Sequence, residues 1–136
     1  MNINILALNI DTLYYYYVGG IAGHNNGIIT RSYVVGKIEV NNVPNLRVGG
    51  IAGYGNGQIE EVYTKGEIIA KPKYTGYVGG IIGSGDNISI INVYSEMDII
   101  LQSEEHSYIG GIVGYIADNS ARIDKVYYIG NIENGS

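Results

Sequence analysis

The chain has 136 residues, a formal net charge of −5, 14 Tyr and 21 Gly, with no Cys, Trp or Phe. The missing Cys excludes disulfides and thiolate metal sites, and eight scattered Lys and Arg against thirteen acidic residues argue against a nucleic-acid partner. Charged residues at 15% and hydrophobic residues at 46%, dominated by Val, Ile, Tyr and Gly, describe strands and turns, with no long helix-forming stretch.

The chain opens with MNINILALNI. It lacks a basic n-region and is interrupted by Asn2, Asn4 and Asn9, so it does not read as a signal peptide. No apolar run approaches the roughly 20 residues of a membrane helix, and membrane insertion is not expected. Counting ten residues back from Val18 lands on Leu8, with Ile10 two further on. Residues 4–10 therefore read as the last third of an earlier unit, and 1–17 as a partial N-terminal coil. The run Tyr14–Tyr17 precedes the first full coil, placed to cover an end of a stack or to touch another chain.

The first full unit starts with VGGIAG at 18–23. The same hexapeptide returns as VGGIAG at 48–53, VGGIIG at 78–83 and IGGIVG at 109–114. A phosphate-binding loop needs a helix after the glycines and usually a Lys; no helical pattern follows any copy. Recurrence favours a structural role, in which glycine lets stacked backbones approach closely.

A second strand candidate follows at 28–34, from an Ile to a Tyr. The Tyr recurs as Tyr33, Tyr63, Tyr94 and Tyr127, each preceded by four residues by Ile29, Ile59, Ile90 or Ile123. The connection from the glycines to this Ile varies from six to nine residues and is rich in Asn, Asp and Gly, as a surface turn is. A third strand candidate, KIEV at 37–40 or EIIA at 67–70, alternates in character. Ile38 and Val40, Ile68 and Ala70, and Ile99 and Leu101 would face inward, and Lys37, Glu67 and Asp98 outward.

Three short strands in about thirty residues leave no room for a crossover helix. The expected fold is all-β: a parallel β-solenoid of about four ~30-residue coils stacked ~4.8 Å apart. It is right-handed by the parallel-crossover rule. One repeat domain would span 1–136, with coils starting near 18, 48, 78 and 109. Asn-Gly at 26–27 and 56–57 keeps an antiparallel meander as the alternative architecture.

The segments YVGGIAGHNNGIITRSYVVGKI and RVGGIAGYGNGQIEEVYTKGEI resemble the GLUG motif, with Ile21, Ile51, Ile81 and Ile112 in place of its Leu. Tyr33 with Gly36, Tyr63 with Gly66, and Tyr127 with Gly130 continue the match; the third copy has Met97 where that Gly stands. The motif recurs in large bacterial surface proteins, adhesin-like proteins and some proteins described as IgA-specific peptidases. The resemblance implies a β-solenoid stalk or passenger that is extracellular or at the cell surface. It supplies no catalytic residues.

Three functions compete on these residues. The first is a non-catalytic structural or adhesion module. The second is a carbohydrate- or protein-binding module, whose site residues would be Tyr33, Tyr63, Tyr94 and Tyr127 in one column and Tyr77 and Tyr108, with Tyr17, in another; its partner would be a glycan or a host surface protein. The third is a non-catalytic fragment of a larger secreted peptidase or polysaccharide-degrading enzyme. Glu67 and Asp98 would stand ~5 Å apart in neighbouring coils, the separation of a retaining glycosidase pair. Lys37 continues their column, and Arg31 is aligned with Glu61, so a charge ladder is the stronger reading. His24 and His106 lack partners at ligand spacing, so no metal or cofactor is expected. Open solenoid ends are expected to recruit further copies of the chain.

Overall fold

A computed structural model describes residues 2–8, 15–103, 105–117 and 120–135, and only the backbone at 2–4, 6–8 and 15. No helix occurs among the described residues. The chain winds as a β-solenoid of about four turns in which every ladder is parallel. This overturns the antiparallel alternative: the Asn-Gly turns join consecutive faces of one coil rather than paired strands. Tyr33 pairs with Tyr63, Tyr63 with Tyr94 and Tyr94 with Tyr127, so successive coils are offset by 30, 31 and 33 residues.

The strands within each coil differ from the sequence expectation in two ways. The Gly-rich segment is two strands, split at the Gly-Gly-Ile step: β2 (Tyr15–Gly19) and β3 (Ala22–Asn25). The second and third candidates fuse into one strand of 14 residues, β4 (Ile28–Asn41). The pattern repeats in β5 (Asn45–Gly49), β6 (Ala52–Gly55) and β7 (Gln58–Lys71), then in β8 (Gly76–Gly79), β9 (Ile82–Gly85) and β10 (Ser89–Gln102). The fourth coil holds β11 (Tyr108–Gly110), β12 (Val113–Ile116), β13 (Arg122–Tyr128) and β14 (Ile132–Gly135), its long strand broken in two.

Fusion is possible because the long strand bends without ending. Arg31, Glu61, Asn92 and Lys125 have φ of 51, 52, 55 and 55°, and each turns the chain by one left-handed residue. Gly36 and Gly66 make a second bend, at φ 149 and 132°. A Cβ on Gly66 would overlap the Gly36 backbone in the coil below. Met97 occupies the aligned position in the third coil, where its side chain is buried in the core.

The N-terminal strand, β1 (Asn2–Leu8), lies on β4 with Ile5 opposite Ile38 and Leu8 opposite Asn41. It is the end of an earlier coil, but its register is three residues from the one counted back from Val18. The connection from Ile5 to Val18 is longer than the corresponding ten residues from Ile38 to Val48. Ile10 lies outside the described residues.

The core is one aliphatic stripe. Ile38, Val40, Ile68, Ala70, Ile99 and Leu101 are fully buried, as alternation predicts, alongside Val48, Val78, Ile51 and Ile81 from the Gly-rich strands. Burying each such side chain contributes about 1.5–3 kcal/mol. Lys37 and Asp98 face outward and Glu67 is half-buried. One polar pair sits inside: Thr64 Oγ1 lies 2.8 Å from both the Gly80 carbonyl oxygen and Ser95 Oγ. A carbonyl only accepts, so Thr64 donates its hydroxyl hydrogen there and accepts a hydrogen bond from the Ser95 hydroxyl.

The repeated glycines answer to this packing. A Cβ on Gly53 would stand 2.6 Å from the Arg47 carbonyl oxygen and 2.6 Å from the Val18 nitrogen. A Cβ on Gly50 would overlap the Gly80 carbonyl oxygen of the next coil. The hexapeptide folds β5 tightly against β6 and stacks that fold on its neighbours. A strand follows each copy, so no helix N-terminus faces the glycines.

Candidate functional site

Two aromatic surfaces lie on different faces of the solenoid. The first is the column Tyr33, Tyr63, Tyr94 and Tyr127, outward on β4, β7, β10 and β13. Ring centroids are 5.1, 5.0 and 5.0 Å apart, with planes within 6, 3 and 4° of parallel. The parallel register dictates this spacing, and such stacks stabilise beyond their area. Tyr63 and Tyr94 each have a ring neighbour on both faces. They present hydroxyl edges to solvent rather than flat faces. Partial burial, then the neighbouring Tyr127 and Tyr63 and the Glu96 carboxylate, push the Tyr94 phenol above its ordinary value.

The second surface is built from two columns that meet. Tyr17, Arg47, Tyr77 and Tyr108 align on β2, β5, β8 and β11. His24, Tyr54, Ser84 and Tyr115 align on β3, β6, β9 and β12. The glycine fold brings the two strands of each coil together, so the side chains of both columns touch. Tyr17 stacks on Tyr54 at 5.4 Å and Tyr77 on Tyr115 at 5.3 Å. His24 meets Tyr17 and Tyr54 edge-on, at 82 and 73°. Tyr108 stands at 62° to Tyr77 and 45° to Tyr115. Arg47 reaches over the Tyr77 ring, 4.7 Å from its centroid, and its Nε donates to Ser84 Oγ at 2.9 Å.

The expected site residues therefore fall in two places. Tyr33, Tyr63, Tyr94 and Tyr127 form the parallel ladder. Tyr77, Tyr108 and Tyr17 belong to the mixed cluster, to which sequence reasoning did not assign Arg47, His24, Tyr54, Ser84 or Tyr115. The one available signal was spacing: each partner of Tyr17, Arg47, Tyr77 and Tyr108 lies seven residues further on. Of the Tyr14–Tyr17 run, Tyr16 is half-buried against the core and Tyr17 is exposed; Tyr14 lies outside the described residues.

The acidic column is aligned as expected, with Lys37, Glu67 and Asp98 in register. Lys37 Nζ pairs within its own strand, 3.2 Å from Glu39 Oε1. Asp98 Oδ1 accepts the Asn131 N–H at 3.0 Å, which organises the turn between β13 and β14. Glu67 and Asp98 line an open cleft of about 520 Å³ with Asn131 and Glu133. Arg31 and Glu61 approach to 3.6 Å and Lys65 and Glu96 to 3.9 Å, all exposed or partly so. Among the described residues no three His, Asp or Glu side chains converge as metal ligands.

Comparison with known families matches residues 14–39 to the GLUG motif. This segment holds the first glycine hexapeptide, Tyr33 and Gly36, and forms most of the first coil. No curated protein and no solved structure matches the chain.

Proposed function

We propose that this chain is a structural and adhesion module of a bacterial cell-surface or secreted protein, with no catalysis of its own. One observation carries the reading: Ile, Tyr and Gly recur in register through the coils, and each has a packing role. The GLUG motif at 14–39 supports an extracellular setting, through the surface proteins in which that motif recurs. In this reading the partners are a glycan or host surface protein, and other copies of the chain at the solenoid ends. Antibody raised against the solenoid labels intact source cells if the reading holds; labelling only after lysis refutes the location. A screen for hydrolase or lyase activity stays at background, and an activity abolished by Glu67→Gln refutes the non-catalytic assignment. Sedimentation shows concentration-dependent association, and a monodisperse monomer at high concentration counts against the end contacts.

A second reading, a binding module, is favoured by the mixed aromatic cluster. A glycan array probed with the chain separates it from an inert spacer, and Tyr63→Ala and Tyr108→Ala locate the binding on one surface or the other.

A further inference from the structure

We infer that Asn56 is a site of spontaneous covalent modification, losing its side-chain amide to ring closure by the Gly57 nitrogen, and that the equivalent Asn26 one coil below is protected. Three Asn-Gly pairs occur, at 26–27, 56–57 and 134–135. A glycine has no side chain to shield its nitrogen, which can then reach the side-chain carbonyl carbon of the Asn before it. The first two pairs turn equivalent corners, after β3 and after β6, and Asn26 and Asn56 are both exposed there. Asn134–Gly135 lies instead within β14, paired with Leu101 and Gln102, on an extended backbone that ring closure must break.

The two corners differ at one residue. In the first, Asn25 is 7% exposed and its Oδ1 accepts the Gly27 N–H at 3.0 Å. That bond occupies the nucleophile, which must be released before it can turn to Asn26. Asn25 Nδ2 donates to the Gln58 carbonyl at 3.4 Å and fixes the amide in this orientation. In the second corner Gly55 stands in register with Asn25 and has no side chain to hold the Gly57 N–H.

The Gly57 nitrogen gives its proton to solvent and attacks Asn56 Cγ. The N–Cγ bond forms, the Cγ–Nδ2 bond breaks, and that nitrogen leaves as ammonia. Water then opens the cyclic imide. Cleavage of the new N–Cγ bond gives aspartate. Cleavage at the main-chain carbonyl gives isoaspartate, whose backbone runs through the β-carbon and is one atom longer. The corner has no room for that atom. A Cβ on Gly57 would overlap the Gly27 carbonyl oxygen, which accepts the Gln58 N–H at 2.9 Å, and the Asn56 N–H donates to the Asn25 carbonyl at 3.1 Å. Isoaspartate at 56 therefore loosens the second coil from the first, whereas aspartate adds only a charge.

The test holds the intact chain in mildly alkaline buffer at body temperature and follows tryptic peptides by mass. The peptide 48–65 contains Asn56 as its only Asn, and fragmentation locates the change within 1–31. Asn56 should convert about fivefold faster than Asn26 or more, the rate equivalent of one ordinary hydrogen bond. In urea the two should convert alike. Asn25→Gly should bring Asn26 to the Asn56 rate, and Asn25→Asp, which keeps an acceptor, should leave it slow; circular dichroism checks each fold. Enzymatic methylation identifies the isoaspartate fraction, which should unfold at lower urea than the aspartate fraction. Asn26 converting as fast as Asn56 in the folded chain overturns the inference. So does a folded Asn56 that stays unchanged while the unfolded chain converts, or a rate difference that persists in urea. Asn26 remaining slow in a folded Asn25→Gly chain overturns the protection, and equal stability of the two fractions overturns the loosening.

Discussion

The second and third coils and the fourth carry the same columns, yet they are built differently. Ile68 and Ile99 are 0% exposed, while Ile132 in the same column is 43% exposed. Val62 and Val93 are buried and Val126 only half so. β7 and β10 run unbroken for 14 residues, whereas the equivalent chain splits into β13 and β14. The difference shows that a coil does not bury its own stripe. Burial comes from the neighbours above and below, as in any stacked repeat. The fourth coil partly substitutes for a neighbour. At the inward position of Val34, Thr64 and Ser95 it carries Tyr128, whose ring lies against Gly111 and whose hydroxyl donates to the Met97 carbonyl at 2.6 Å.

The strongest way to break this comparison is to alter the stacking directly. Gly50→Val places a Cβ against the Gly80 carbonyl and 2.8 Å from Thr64 Cγ2. That carbonyl belongs to the ladder and cannot retreat without loss. Unfolding in urea should show a destabilisation of about 3–5 kcal/mol. Gly135→Ala, where the nearest atom is 3.8 Å away, should stay within about 0.5 kcal/mol of the parent. Equal effects would mean that stacking is not what the glycines serve.

Next in size is the aliphatic column itself. Ile68→Ala removes a fully buried side chain and should cost about 3–4 kcal/mol; Ile132→Ala should cost about 1 kcal/mol. Hydrogen exchange should agree, with amides of β14 exchanging before those of β7. Protection that is uniform across the coils contradicts the picture of an end supported from one side.

The same contrast explains what was legible beforehand. The Ile and Tyr columns could be read because identical residue types recur with one variable turn between them. The corners could not. The bend at Arg31, Glu61, Asn92 and Lys125 uses four unrelated side chains, so composition does not mark it. β1 reads as the end of a coil, but its register lies three residues from the one counted back from Val18, because it lacks the Gly and Tyr marks that set register elsewhere. The sequence marks only Tyr17, Tyr77 and Tyr108 of the mixed aromatic cluster. Its columns alternate Tyr–Arg–Tyr–Tyr and His–Tyr–Ser–Tyr, and contact between them depends on the fold at the glycines, which a column-by-column reading does not see.

Polar groups sharpen the comparison at a smaller scale. Thr64→Val keeps the shape but removes one of the two donors to the Gly80 carbonyl, which retains the Gly50 N–H, and takes away the hydroxyl that faces Ser95; it should cost about 1–2 kcal/mol. Tyr128→Phe, at the half-covered end, should cost about 1 kcal/mol or less. The two tyrosines also predict a pH response. Burial and the Asp98 carboxylate raise the Tyr128 phenol above its ordinary value of 10.0, and partial burial and neighbouring rings raise that of Tyr94. Folding therefore favours the protonated phenols. Their contribution is complete below pH 10 and is lost as pH rises through the higher folded values. Ultraviolet titration of phenolate should resolve these late-titrating groups, and Tyr128→Phe should remove one. Titration of all phenols together at the unfolded value counts against both shifts.

The smallest effect tests whether the corner or the ion pair matters more at Glu61. The side chains of Arg31 and Glu61 are 82 and 55% exposed at 3.6 Å, so Glu61→Gln should lose no more than about 0.5 kcal/mol. Glu61→Asn loses the same pair but places, at φ 52°, the residue that already occupies the next corner as Asn92 at φ 55°. Asn tolerates this conformation better than Glu. Glu61→Asn should therefore equal or exceed Glu61→Gln in stability, by up to about 0.5 kcal/mol. If it falls below, the corner is held by the flanking ladder pairs, Glu60 with Ile91 and Val62 with Val93, and the identity of the corner residue is immaterial. That outcome would also account for why Arg, Glu, Asn and Lys share one column.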